Sequence, residues 1–143
     1  MKALTLTQPW ANEMVDGWKT YETRSWRTNY RGLLAIHAAI GFPVWAREFA
    51  ETERALGRVP TRIARGAILG VVNVLDCIRA EEAALDVSAL ERHLGDYSFG
   101  RWAWKTELVK KLDAPIACRG ALGLWEVPSE IAAILAEVVE VVG

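Results

Sequence analysis

The sequence predicts an α+β domain with a small mixed, barrel-like sheet and several short flanking helices. Three observations carry this reading. The run Gly66-Ala67-Ile68-Leu69-Gly70-Val71-Val72-Asn73-Val74-Leu75-Asp76-Cys77-Ile78 is long, β-branched and apolar on both faces, as a central strand requires. Its glycines predict a bend or bulge of the kind that curls a sheet. The stretch after Ser129 places Ile131, Ile134, Leu135, Val138 and Val139 on one stripe, which is helical spacing behind a serine cap. No internal repeat, linker or low-complexity tract interrupts the chain, and 143 residues suit one ordinary domain, so residues 1–143 are read as a single unit.

The remaining elements follow in order. Ala3-Leu4-Thr5-Leu6-Thr7 alternates and predicts a short strand. Pro9 suits a first helical turn, continued by Trp10 to Val15 and stopped by Gly17. Leu33 to Ala39 predicts a buried strand. Pro43 opens a second helix with Trp45, Phe49 and Leu56 at roughly helical spacing, and Gly57 is placed to cap it. Residues 57–65 read as a polar, basic loop and 81–94 as a helical or irregular excursion. Trp102-Ala103-Trp104 puts two tryptophans on one face of a strand. Pro115 to Val127, with Gly120 and Gly123, reads as a glycine-bent strand or loop.

Composition narrows the function classes. A 52% apolar and 24% charged chain is globular rather than disordered. No apolar run is long enough to span a membrane, and the N-terminus lacks the apolar core of a signal peptide, so a cytoplasmic protein with no membrane partner is expected. Cys77 and Cys118 lie outside any CxxC pair and are flanked by apolar residues, which fits two small core side chains. His37 sits in a strand pattern as a core residue, and His93 reads as a surface residue. Two distant histidines without a carboxylate at ligand spacing predict no metal, and no cofactor is expected. The net charge of −1 hides an asymmetry. Residues 18–31 carry Lys19, Arg24, Arg27 and Arg31 against Glu22 alone, whereas the chain after Arg119 has no cation and four acids.

Function concentrates in Gly17-Trp18-Lys19-Thr20-Tyr21-Glu22-Thr23-Arg24-Ser25-Trp26. A lysine, a glutamate, an arginine and three aromatics in ten residues are costly to bury and unnecessary for folding. Interleaved cations and flat rings are what a single-stranded nucleic acid or a lone base needs. Glu22 and Arg24 share a face if the segment is a strand and form an ion pair, with Lys19 on the other side. If the segment is a turn, Lys19 and Glu22 meet. Trp10, Trp18 and Trp26 can stack bases, and of these Trp10 or Trp26 is placed near the site. Trp45 and Trp125 are read as structural. Gln8 and Ser25 either bond a base edge or serve as helix-end and turn residues.

The order Gln8-Pro9-Trp10, Gly17-x-Lys19-Thr20-x-Glu22-x-Arg24, Tyr30-Arg31-Gly32 and Ile36-His37-Ala38 resembles the ASCH domain, named for homology to an activating signal cointegrator. Gly66-x-Ile68-x-Gly70, Arg101-Trp102-Ala103-Trp104 and Gly120-x-x-Gly123-Leu124-Trp125 are similar to the rest of that pattern. The resemblance implies a PUA-like fold and a cleft beside the sheet, lined by the GxKxxExR segment, that binds RNA or a nucleotide. Some small bacterial members are amidohydrolases acting on N4-acetylcytidine, and one relative is a ribonuclease. The acting lysine of those amidohydrolases matches Lys19, but their acting threonine falls at Glu22. Asp76 and the acids near Glu81 are the candidates for their glutamate.

The expectation is therefore a module that binds RNA or single-stranded nucleic acid through Trp10, Lys19, Glu22, Arg24, Ser25, Trp26, Arg27 and Arg31. The alternative is an enzyme on RNA or a modified nucleoside, with Lys19 and Glu22 in acid–base roles.

Overall fold

The computed structural model describes residues 1–142. Six strands form one curled sheet in the order β2-β5-β4-β3-β1-β6. They are β1 (Lys2–Leu6), β2 (Tyr21–Arg24), β3 (Gly32–Ala38), β4 (Ala67–Arg79), β5 (Trp102–Ala117) and β6 (Leu124–Glu126). β1 runs parallel to β3, and every other pair is antiparallel. Five helices flank the sheet: α1 (Trp10–Val15), α2 (Val44–Ala55), α3 (Ala80–Ala83), α4 (Ala89–His93) and α5 (Ser129–Val142).

The long run read as a central strand is β4, paired with β3 on one side and β5 on the other. Its bend falls where the glycines predict. The β4–β5 register shifts between Ile68 and Gly70, where a Cβ on Gly70 would lie 2.6 Å from the carbonyl oxygen of Lys110. Only glycine lets the two backbones approach so closely, and the resulting bulges curl the sheet.

Strand alternation sends side chains to two cores. Leu4, Leu6, Leu34, Ile36, Val72, Val74 and Trp104 pack on one face with Ala11, Met14 and Val15 of α1. Ala3, Ala35, Ile68, Val71, Leu112 and Trp125 pack on the other, closed by Leu135, Ile131, Val138 and Val139 of α5. The stripe expected for that helix is thus the packing face, except that Ile134 stands about half exposed.

Two elements differ from the sequence reading. β5 runs through residues 105–114, where Lys105, Glu107, Lys110, Lys111 and Asp113 are charged; it alternates between buried Thr106 and exposed Lys105 and Glu107, and β4 supplies its strand pairing. In α2 the buried stripe is Ala46, Ala50 and Glu53, while Leu56 and Trp45 face outward.

Candidate functional site

The GxKxxExR segment is half turn and half strand, and this decides its geometry. Gly17, with φ of +86°, ends the turn that follows α1. The backbone N–H groups of Trp18 and Lys19 then both donate to the carbonyl of Glu13. β2 starts only at Tyr21, so Lys19 precedes the strand and folds back over it. Its ammonium meets Glu22 Oε1 at 3.1 Å and donates to the carbonyl of Tyr21. Arg24, two residues along the strand on the same face as Glu22, donates from Nε to Glu22 Oε2 at 2.9 Å and from Nη2 to the Thr5 carbonyl at 2.7 Å. Glu22 thus bridges both cations. Lys19 is only 2% exposed, and its paired partner offsets the cost of that burial.

Glu91 of α4 fixes the same turn. Its carboxylate accepts from the backbone N–H and hydroxyl of Thr20 and, at 3.4 Å, from the N–H of Tyr21. Thr106 of β5 donates from backbone and hydroxyl to the Thr20 carbonyl.

These groups floor a cleft of about 460 Å³ between the end of β1, the start of α1, β2 and the segment after α4. Lys19, Arg24 and Arg101 supply cations to its lining, Glu22 and Asp96 acids, and Trp10 and Trp45 aromatic surface. Trp10 stacks on Phe49 at 4.9 Å and 16° and tilts against Trp45 at 5.6 Å. Trp45, read from sequence as structural, is 62% exposed at this cleft, whereas Trp125 is buried in the core as expected.

The other candidates lie elsewhere. Trp26 packs edge-on against Trp104 at 4.8 Å, beneath the sheet face rather than in the cleft lining. Ser25 is exposed outside the lining, as is Arg27, whose guanidinium sits 5.7 Å over Trp102. Arg31 pairs with Asp76 at 3.5 Å on the outer surface, which takes Asp76 away from the cleft too. Glu81 has a buried carboxylate oxygen outside the lining. Gln8 is a helix-end residue: fully buried, it accepts from the N–H of Asn12 at 3.0 Å and donates to Asn12 Oδ1 and the Ala64 carbonyl. His37 is the paired core residue expected, bonded to Thr5 and the Cys118 carbonyl.

A buried charge network behind the cleft escapes sequence reading. Glu53 is fully buried on α2 and receives both arms of Arg58 at 2.8 Å, and His93 Nε2 at 3.1 Å. His93 is exposed, as read from sequence, and its ring also lines the cleft and leans on Phe49. Glu13 of α1, also fully buried, has no donor for either carboxylate oxygen among the described residues. A carboxylate so placed must supply the hydrogen itself. Burial first, then the hydrogen bond and charge of Glu53, push Glu13 up to about 9. Burial opposes charge on Glu53 as well, but hydrogen bonds from Arg58, Glu13 and His93 outweigh it and hold its carboxyl well below the ordinary range. Glu13 is thus held toward its acid form and Glu53 toward its anion, which meets His93. Among the described residues no three His, Cys, Asp or Glu side chains gather as a metal set, and no helix is long and apolar enough to cross a membrane.

The ASCH domain family model matches residues 4–142. The chain belongs to the ASCH domain family. Its curled six-stranded sheet with short helices is the PUA-like ASCH fold. The ASCH chain is similar to activating signal cointegrator 1 of Mus musculus, 37% identical over 86 residues, and to that of Homo sapiens, 35% identical over 85 residues. Each match covers 55% of this chain and 15% of the relative, so the ASCH chain spans a small part of the curated relatives it matches.

Proposed function

We propose that the cleft binds RNA or single-stranded nucleic acid, one base entering against Trp10 and Trp45 while a phosphate meets Arg24 and Arg101. The observation that carries this is the Lys19–Glu22–Arg24 bridge. It holds a buried net positive charge at the floor of a cleft whose wall carries an exposed tryptophan. A cation held by a carboxylate and a carbonyl presents its remaining N–H groups in a fixed direction, which suits phosphate. An exposed indole beside it supplies a stacking face that tolerates any base. The ASCH family is in general nucleic-acid-binding, which supports the same reading.

The enzyme alternative needs Lys19 as a free amine, whereas its side-chain nitrogen is ion-paired with Glu22 and donates to the Tyr21 carbonyl. Glu22, shared between two cations, is better suited to positioning than to proton transfer. The test is a titration of wild type, Lys19→Ala and Arg24→Ala with short single-stranded RNA, with product analysis on the same samples and on N4-acetylcytidine. Salt-sensitive binding that Arg24→Ala weakens, without product, supports the binding reading. Product that depends on Lys19 overturns it in favour of the enzyme.

A further inference from the structure

Thr5 is a thin wall between two cavities. On one side its carbonyl accepts from Arg24 in the cleft. On the other, its hydroxyl helps floor a second cavity of about 390 Å³. There Trp125 Nε1 donates to Thr5 Oγ1 at 3.1 Å, and Oγ1 pairs with His37 Nδ1 at 3.1 Å. His37 Nε2 donates to the Cys118 carbonyl at 2.7 Å. These bonds pair the polar side chains of Thr5 and His37 and fix the floor of the cavity. The loop after β5 is drawn tightly over it. A Cβ on Gly120 would stand 2.6 Å from His37 Cε1 and 2.8 Å from Thr5 Oγ1, so the approach requires glycine.

The rim is apolar and cationic at once. Ile40 and Leu122 are 74% and 98% exposed there, which folding alone does not require. Arg119 lines the cavity, and Arg65 donates to the Ile40 carbonyl at 3.0 Å beside it. No acid is among the lining residues described. The cleft and this cavity are thus similar in volume, share one residue, and each joins flat or apolar surface to a cation.

We propose that the second cavity takes the neighbouring nucleotide of a single strand whose first base occupies the cleft. The base lies against Ile40 and Leu122, and the linking phosphate crosses over Thr5 between Arg24 and Arg119. This rests on the reading of the cleft as a nucleic-acid site and extends it to an oriented track at least two nucleotides long.

The experiment compares uridine 5′-monophosphate, a uridine dinucleotide and a short oligouridylate on wild type, Arg119→Glu and Ala121→Trp. Both positions are exposed, so neither change disturbs the core. The dinucleotide should bind roughly tenfold more tightly than the monophosphate, from the added apolar contact of its second base and the contact of its linking phosphate with Arg119. Each variant should erase that gain and leave the monophosphate within about twofold, since the changes lie outside the first cleft. A dinucleotide no tighter than the monophosphate, or a gain that survives both variants, overturns the track and leaves the cleft reading standing. Failure of all three ligands on wild type overturns both.

Discussion

The centre of the site is one carboxylate shared by two cations. Glu22 lies on β2, so its 2.9 Å contact with Arg24 follows from strand periodicity. Its contact with Lys19 follows from the turn that ends just before the strand. Removing Glu22 alone strands a buried ammonium, so Glu22→Ala should lose about 3–5 kcal/mol of stability. Lys19→Met/Glu22→Ala should recover a large part of this, and urea melts of the double-mutant cycle measure the coupling. Glu13 gives a second prediction. Folded Glu13 keeps its proton up to about 9, whereas the unfolded chain releases it in the ordinary carboxylate range. The folded state thus binds more protons between those limits, and stability falls as pH rises through that window. Glu13→Gln keeps a donor toward Glu53 without a titrating proton, so its stability should decline less over the window. Denaturant midpoints across pH check this. The bridge was half legible in sequence: Glu22 and Arg24 were a readable pair, but whether Lys19 joined them depended on a strand boundary that spacing leaves open. Glu13, Glu53 and His93 were not legible as a cluster, because they come from three helices and nothing local marks a buried acid.

Among the elements, α2 does the least expected thing. Trp45, Phe49 and Leu56 read as an apolar face, yet the helix buries Ala46, Ala50 and Glu53. Rotated this way, it buries the Glu53 anion behind His93 and lays Trp45 over the cleft. Trp45→Ala should therefore change stability little, because the ring is largely exposed, and should weaken RNA binding about fivefold or more, the scale of one lost stacking contact. Thermal melts and a titration on the same sample separate the two effects. The strands were the more readable elements, since β-branched runs and alternation mark β1, β3 and β4 directly. β5 was legible only at Trp102-Ala103-Trp104. Its charged continuation is a strand because β4 pairs with it along its length, which is tertiary information.

At the scale of the whole molecule, the fold class was legible because the central strand, the final helix and the motif order agree with one another. The cleft was legible only as a segment: the residues at and after the end of α4 that complete it, His93 to Asp96, lie some seventy positions from Lys19. The charge distribution sets the expected binding. With a net charge of −1 and only Lys19, Arg24 and Arg101 as Lys or Arg in the cleft lining, few phosphates can be neutralised at once. The logarithm of affinity should fall against the logarithm of salt with a slope of about −1 to −2, corresponding to one to three phosphates on a single strand, measured between about 50 and 200 mM salt. The most direct test of the cleft itself uses the seven tryptophans as reporters. The indole N–H signals of labelled protein are followed by NMR as uridine 5′-monophosphate is added. Shifts at Trp10 and Trp45, with Trp18, Trp26 and Trp102 unmoved, are the predicted result. Shifts confined to Trp18, Trp26 or Trp102, or none at any tryptophan at saturating nucleotide, would contradict it.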